Sequence, residues 1–327
     1  MNGEKRGFDV SQSKGILDRR QKKVSPDSFD VTRDKLTRKI AGAFLASGDD
    51  EPVYDNISGR GADQHREKFE QIKKVVEKEW LPEFKEEFIE KIDLLRQSGN
   101  LNLTPEEIKK RLASVQIYFF SKGSTKGRDI DAKAVTSPYS SVLIEVDTNL
   151  KDAELRADLQ HTFNHEMLHV VSGSLFLTTP KHLGIFNTEK YRRGLVFGPL
   201  AKGEKVERFR WLNEAVTESL ALEMNKDKDR DSAPYRPERL LLSLLVNGPA
   251  GSDKHKVDRK KFSHAYFENY EPKDEADARL KNWKELVRSI NKAYYPGFLV
   301  KIDKLIEKKG LGYVINHFHI LCENEST

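Results

Sequence analysis

Helical periodicity dominates the pattern of hydrophobic and polar positions from Arg66 onward. Apolar side chains recur every three or four residues between lysines and glutamates, which predicts one or two amphipathic helices interrupted near Pro82. A helix-start signature follows at Thr104, where threonine is the N-cap and the next residue is proline, and it predicts a short helix to about Leu112. Residues 66–112 are therefore expected to form a helical N-terminal subdomain.

Strand-like runs come next, at 115–120 and 141–146, and both are rich in β-branched or aromatic residues. Beyond them the pattern predicts a long helix over residues 152–171 and another over about 209–224. Glycines and prolines between these helices, over 174–208, indicate irregular chain or short strands. The alternation predicts an α+β fold that is mainly helical, with a small β-sheet backing the first long helix.

Composition divides the chain further. Residues 1–65 are rich in charged and small residues with scattered apolar ones, which predicts a disordered polar leader. Residues 113–250 hold the strands and the long helices and are expected to form the central domain. Residues 251–327 are expected to form a helical C-terminal region.

The charges of the chain are balanced and interleaved. Lysine and arginine number 57 and aspartate and glutamate 52, for a formal net charge of +5. This distribution offers no focused basic field, so no nucleic-acid partner is expected. The sequence has no long uncharged apolar run and no apolar stretch after its first residues, which excludes a transmembrane helix and a secretory signal peptide. We therefore expect a cytoplasmic protein with no membrane partner, or one exported by a non-classical signal.

Any metal site must use ligands other than cysteine clusters, because Cys322 is the only cysteine. Residues 165–169 read His-Glu-Met-Leu-His, an H-E-x-x-H motif inside a predicted helix. His165 and His169 are four residues apart, so both imidazoles lie on one helix face and can reach one ion at roughly 2.0–2.1 Å. Glu166 lies about 100° further round the helix, where it can take a proton from metal-bound water.

A third ligand is expected downstream, because catalytic zinc keeps three protein ligands and an open position. Residues 211–219 read Trp-Leu-Asn-Glu-Ala-Val-Thr-Glu-Ser on the next predicted helix. Glu214 would complete a His/His/Glu site. Glu218, one turn later, would accept the free N–H of a ligand histidine.

The two motifs together resemble the gluzincin branch of zinc metallopeptidases, the thermolysin-like and M1-like group, over roughly residues 140–225. The resemblance implies a zincin-like catalytic domain over residues 113–250 that binds one catalytic Zn²⁺. Carried over by position, it implies His165, His169 and Glu214 as zinc ligands, Glu166 as general base, and Glu218 with Asn213 as the residues that orient the ligands. The thermolysin-like form usually has Asp where this chain has Glu218. No Gly-x-Met-x-Asn exopeptidase signature precedes the motif, which favours an endopeptidase.

The resemblance also implies features whose sequence positions vary within the family. Such enzymes lay an extended peptide along an edge strand, and the strand at 141–146 is the candidate. They also use a Tyr, His or Arg to stabilise the oxyanion, and the candidates here are Tyr191, Tyr235, His264 and Tyr266. His161 shares the face of the two ligand histidines and is expected to support the site or lie on the surface.

The ligand set predicts hydrolysis of peptide bonds. Zinc lowers the pKa of its water towards roughly 7, Glu166 removes the proton, and the hydroxide attacks a polarised carbonyl. A peptide or protein is therefore the expected substrate, and a toxin-type or effector-type protease dedicated to one protein is the alternative within the enzyme class. Two other functions stay open: a non-catalytic zinc-stabilised interaction module, and a purely helical adaptor without metal.

We assign no function to two further motifs. Ligand positions of an EF-hand loop are matched by Asp227, Asp229, Asp231 and Glu238, but Ser232 stands where that loop needs glycine, so a solvated charged loop is expected. Residues 51–57 resemble tyrosine-phosphorylation motifs of translocated bacterial effectors. In a polar leader a chance match is the expected explanation.

Overall fold

The computed structural model describes residues 60–101, 103–113, 115–122, 134–136, 141–180, 186–198, 207–225, 234–249, 254–268 and 280–323. Within these ranges the α-helices are α1 (Arg60–Val75), α2 (Leu81–Gln97), α3 (Pro105–Ala113), α4 (Asp152–Val171), α5 (Arg210–Asn225), α6 (Arg236–Asn247), α7 (Arg259–Phe267), α8 (Lys281–Ala293), α9 (Phe298–Lys309), α10 (Leu311–Asn316) and α11 (Phe318–Glu323). The strands are β1 (Gln116–Ser121), β2 (Ala134–Thr136), β3 (Ser141–Val146), β4 (Ser174–Pro180), β5 (Phe186–Arg193) and β6 (Val196–Phe197).

Helices α1 and α2 form a nearly continuous helical segment, joined by a π-helical turn at Val76–Trp80. Pro82 lies in the first turn of α2. A proline lacks the N–H of a regular α-helical turn and its ring crowds the preceding carbonyl, and a widened π-helical turn accommodates both effects. The predicted interruption near Pro82 is therefore a widened turn and not a break.

Helix α1 begins at Arg60, within the last residues of the predicted leader over residues 1–65. Arginine, alanine, glutamine and histidine in that stretch are compatible with a helix that extends from the apolar periodic part. Residues 1–59, with the motif at 51–57, lie outside the described residues. The three aspartates of the EF-hand-like pattern also lie outside them, within 226–233.

Strand β3 is the central strand of a three-stranded sheet with the order β1-β3-β2. It pairs in parallel with β1, from Gln116↔Ser141 to Ser121↔Val146, and antiparallel with β2. The expectation that the strand at 141–146 is a free edge is therefore wrong, because it is hydrogen-bonded on both sides. Within the described strands of this sheet, β1 and β2 form the edges.

Helix α4 carries the H-E-x-x-H motif, and it has the predicted bounds of 152–171. It packs against α2, α3, α5 and the strands β2 and β3. Phe163 of α4 contacts Phe84 and Phe88 of α2, with ring centroids 5.8 and 6.2 Å apart. Every residue of α4 from Phe163 to Val171 is buried, so the motif lies in the core of the fold and not on a solvated surface.

Helix α5 lies beside α4 and packs against α4, α6 and α7. Its bounds agree closely with the predicted helix at 209–224. Helix α7 lies within residues 251–327, which are expected to be helical, and its residues Phe262, Ala265, Tyr266 and Phe267 are buried in the same hydrophobic core. Helices α8 to α11 follow, as the C-terminal pattern predicts.

A second small sheet occupies the region predicted as irregular chain or short strands. Strands β4 and β5 form an antiparallel hairpin, and β6 pairs with β5. The fold is thus α+β and mainly helical, with two small sheets among the described residues. No helix in the described ranges is both long enough and apolar enough to cross a bilayer.

Candidate metal centre

His165 and His169 lie on one face of α4 and point into the same space. Their Nε2 atoms are 3.1 Å apart.

The C-terminal end of α4 is held by Arg111 of α3, whose guanidinium donates to the carbonyl oxygens of Val171 and Ser172. Burial lowers the pKa of Arg111 to about 10, so this cation keeps its charge at neutral pH beside the negative end of the helix dipole.

Glu214 of α5 supplies the third donor atom. Its Oε2 lies 3.3 Å from Nε2 of His165 and 3.3 Å from Nε2 of His169. Ligands at roughly 2.0–2.1 Å from a tetrahedral zinc ion stand about 3.3–3.4 Å apart along the edges of the tetrahedron. The three side chains could therefore hold a metal ion, with one corner of the tetrahedron left over. The Glu214 side chain is 15% exposed, so solvent reaches this cluster.

Opposite charges meet at the cluster. Burial alone would lower the pKa of His165, but its hydrogen bonds with Glu214 and Glu218 raise it to about 10. Burial would raise the pKa of Glu214, yet the charge of His169 and the hydrogen bonds with both histidines hold it well below the ordinary value. Glu214 is thus ionised at neutral pH, as a carboxylate must be to bind a metal.

Glu218 lies behind His165, one helical turn after Glu214. Its Oε2 is 2.8 Å from Nδ1 of His165, and the residue is 0% exposed. Although burial opposes ionisation, the hydrogen bonds with His161 and His165 lower the pKa of Glu218 to about 2. The ionised carboxylate accepts the Nδ1–H of His165 and so directs Nε2 towards the cluster, where it loses its proton when a metal binds. This is the position that the predicted orienting role requires.

The far side of the His169 ring faces three polar groups. Its Nδ1 lies 3.3 Å from Nδ2 of Asn213, 3.5 Å from Oγ1 of Thr217 and 3.4 Å from the hydroxyl of Tyr266. Asn213 is therefore beside a candidate ligand, as predicted. The Tyr266 hydroxyl contacts the side of the imidazole that faces away from the cluster, so the structure does not place it where an oxyanion would form at the metal.

The turn between β5 and β6 holds Asn213 in place. The backbone N–H of Leu195 donates to Oδ1 of Asn213 at 2.9 Å. Gly194 has φ of 54°, and a Cβ there would lie 2.3 Å from the same oxygen. Only glycine permits both this backbone conformation and this close approach.

Glu166 is buried beside the cluster, and Arg193 of β5 is a basic neighbour. Nε of Arg193 donates to the carbonyl oxygen of His169 at 3.2 Å. Burial lowers the pKa of Arg193, and the negative charges of Glu166 and Glu214 oppose that shift. The sequence analysis missed this cation because it lies on a strand outside both motifs. Thr217 was also missed, although it belongs to the second motif and follows Asn213 by one helical turn.

The other oxyanion candidates occupy different places. The ring of Tyr235, immediately before α6, is stacked on that of His165. His264 instead contacts the backbone carbonyl of Gly99 at 2.6 Å, in the connection between α2 and α3. The side chain of Tyr191 lies outside the described part of the structure. Among the four candidates, Tyr235 is therefore the one whose described ring is stacked on a candidate metal ligand.

Comparison with known proteins yields no matching family model, no matching curated protein and no matching solved structure. The resemblance to gluzincins therefore rests on the two sequence motifs. The function has to be inferred from the geometry of the cluster itself.

Proposed function

We propose that this protein is a zinc-dependent metallopeptidase with a zincin-like catalytic domain. The observation that carries the proposal is the triangle of Nε2 of His165, Nε2 of His169 and Oε2 of Glu214, with sides of 3.1 to 3.3 Å. Two imidazoles and one carboxylate form a donor set that zinc favours, and three protein ligands with an open corner are typical of catalytic zinc. Glu166 adds an acid–base group that is buried and close enough to His165 to act on its charge.

Each residue at the centre has a role in the proposed hydrolysis. When bound, zinc would polarise the scissile carbonyl and lower the pKa of water to about 7. Glu166 takes the proton from the attacking water and passes it to the leaving amine nitrogen. Glu218 and the groups around Nδ1 of His169 hold the two imidazoles in orientation.

Tyr235 is the proposed donor to the carbonyl oxygen as negative charge develops there. Burial and the carboxylates of Glu214 and Glu166 raise the pKa of Tyr235 above its ordinary value. The hydroxyl thus stays protonated and able to donate throughout the physiological range. Arg193 supplies a positive charge close to Glu166 and Glu214.

A peptide or protein is the proposed substrate. With β3 paired on both sides, an extended peptide would have to pair with an edge strand of that sheet, and β2 is the edge that packs against α4. A substrate screen distinguishes an enzyme that acts on many peptides from a toxin-type or effector-type protease dedicated to one protein.

Metal content tests the centre directly. Inductively coupled plasma mass spectrometry of the purified full chain is expected to find one zinc per chain, and much less in Glu214→Ala. Glu223→Ala is the matched control, because Glu223 is an exposed carboxylate on the same helix, 3.4 Å from Arg259. Absence of zinc from the folded wild type after incubation with the metal, or stoichiometric iron in its place, would overturn the proposal.

Hydrolysis is then tested with a mixed peptide library analysed by mass spectrometry. Wild-type protein is expected to cleave library peptides, whereas Glu166→Gln is expected to keep its zinc and lose cleavage by at least about a hundredfold, as expected for loss of a general base. Zinc binding without any Glu166-dependent cleavage of peptides or proteins would favour the non-catalytic zinc-stabilised module instead.

A further inference from the structure

Glu218 is hydrogen-bonded to two histidines that lie on successive turns of α4. Its Oε2 is 2.8 Å from Nδ1 of His165, and its Oε1 is 2.9 Å from Nε2 of His161. The carboxylate itself is on α5 and has no exposed surface. Both oxygens of a buried carboxylate are thus satisfied by one face of the neighbouring helix, because residues four apart stand one above the other.

The hydrogen bonds around His161 run in one direction. Nδ2 of Asn225 lies 3.1 Å from Nδ1 of His161, and Oδ1 of Asn225 is 2.6 Å from Nδ2 of Asn164. An amide NH₂ can only donate, so Nδ1 of His161 is the acceptor and carries no proton. Nε2 is then the ring nitrogen that carries a proton, and it donates this proton to Glu218.

We infer that His161 is a positioning residue for the metal centre: it holds Glu218 in the rotamer that orients His165. This inference rests on the proposed metal centre and assigns to it a residue that is not a ligand. The chain of donors runs from Asn164 through Asn225 and His161 to Glu218, which also accepts the N–H of His165.

Physical reasoning gives His161 a measurable effect. If its donor is lost, Oε1 of Glu218 loses a hydrogen bond while the carboxylate itself stays buried, which is costly for a charged group. The carboxylate would then rotate or draw in water, and its bond to Nδ1 of His165 would weaken. Residues that hold metal ligands in orientation typically change metal affinity by about 10- to 100-fold.

The test combines two substitutions at His161 with a shortened carboxylate. His161→Leu removes the donor and is expected to weaken zinc binding about tenfold, measured by competition with a chromophoric chelator. His161→Gln keeps an N–H donor and is expected to restore part of that loss. Glu218→Asp is one methylene too short to reach both histidines, so His161→Leu is expected to change the affinity less than about twofold in that background.

One control variant and one measurement on the wild type separate this effect from general damage to the fold. His317→Gln removes a histidine that is hydrogen-bonded to the carbonyl of Tyr313 in the C-terminal helices, and it is expected to bind zinc like the wild type. Nitrogen-15 NMR of the wild-type histidines is expected to show His161 as the Nε2–H tautomer hydrogen-bonded to a carboxylate. This second measurement applies even if His161→Leu does not fold.

The outcomes distinguish the inference from the proposed function. A wild type that binds zinc, together with a folded His161→Leu variant of unchanged affinity, would overturn the role of His161 and leave the metallopeptidase proposal intact. Absence of a proton on Nε2 of His161 would also overturn it. A wild type without zinc affinity would instead refute the proposed function.

Discussion

The ring of Tyr235 is stacked on the ring of His165, with centroids 5.3 Å apart and planes inclined by only 11°. Tyr235 has φ of 53°, an unusual value for a residue with a Cβ, and it stands at the N-terminus of α6. The strained turn before α6 therefore places an aromatic ring against a candidate metal ligand.

Tyr235→Phe is expected to keep zinc and to lower peptide hydrolysis about a hundredfold. The phenylalanine ring preserves the stacking on His165, but it lacks the hydroxyl that would donate to the developing oxyanion. Zinc content and kcat are the measurements, with Tyr313→Phe, in the C-terminal helices, as control. Unchanged kcat in Tyr235→Phe would exclude the hydroxyl from the reaction and make Arg193 the next residue to test.

Gly173→Ala is expected to destabilise the protein by about 3 kcal/mol. A Cβ at position 173 would lie 1.8 Å from the backbone carbonyl oxygen of Glu268, and backbone cannot move aside as a flexible side chain can. Gly312→Ala is the matched control, because nothing lies within 4 Å of a Cβ there and α10 is helical. The control is expected to gain up to about 1 kcal/mol. Denaturant unfolding of the metal-free proteins measures both changes.

Asp303→Asn is expected to change how stability depends on pH. Asp303 of α9 accepts the backbone N–H of Phe209 at 2.9 Å, and burial raises its pKa above the ordinary 3.8. The folded wild type therefore binds more protons than the unfolded chain in the window above pH 3.8, so this group contributes less stability as pH rises through its raised pKa. Asparagine can still accept the N–H and does not titrate.

The measurement for Asp303 is the free energy of unfolding at pH 4 and pH 7, with chelator present so that metal binding does not contribute. The free energy of unfolding of Asp303→Asn minus that of the wild type is expected to be more positive at pH 7 than at pH 4. A difference that is equal at both pH values would contradict the raised pKa of Asp303.

Cys322 is expected to be unreactive in the folded protein. The thiol is buried, and burial raises its pKa to about 12, so very little thiolate forms at pH 8. Iodoacetamide is expected to label the chain only after unfolding in guanidinium chloride, as measured by intact mass. Because it is the only cysteine, rapid labelling of the native chain would show directly that α11 opens from the core.

Local sequence patterns were sufficient to predict the long helices. The predicted bounds of α4 and α5 agree with the structure within a residue or two, because residues that end a helix, such as Ser172 and Gly173 after α4, are recognised in the local sequence. Helix α7 lies in the region predicted to be helical, but its bounds were not predicted because it is short and flanked by polar residues, and its helical state depends on the core that receives Phe262 and Tyr266. The pairing of β3 with a strand on each side could not be predicted from local patterns, because strand order depends on residues that are remote in sequence.

For the candidate site, the sequence by itself determined the two donor pairs: His165 with His169, and Glu214 with Glu218. Each pair lies within one helix, where a spacing of four residues places side chains on a common face. Only the tertiary structure decided that these faces meet, that Glu218 also contacts His161, and that Tyr235 and Arg193 join the cluster. Those contacts connect different elements, and their distances follow from how the elements pack and not from any local periodicity.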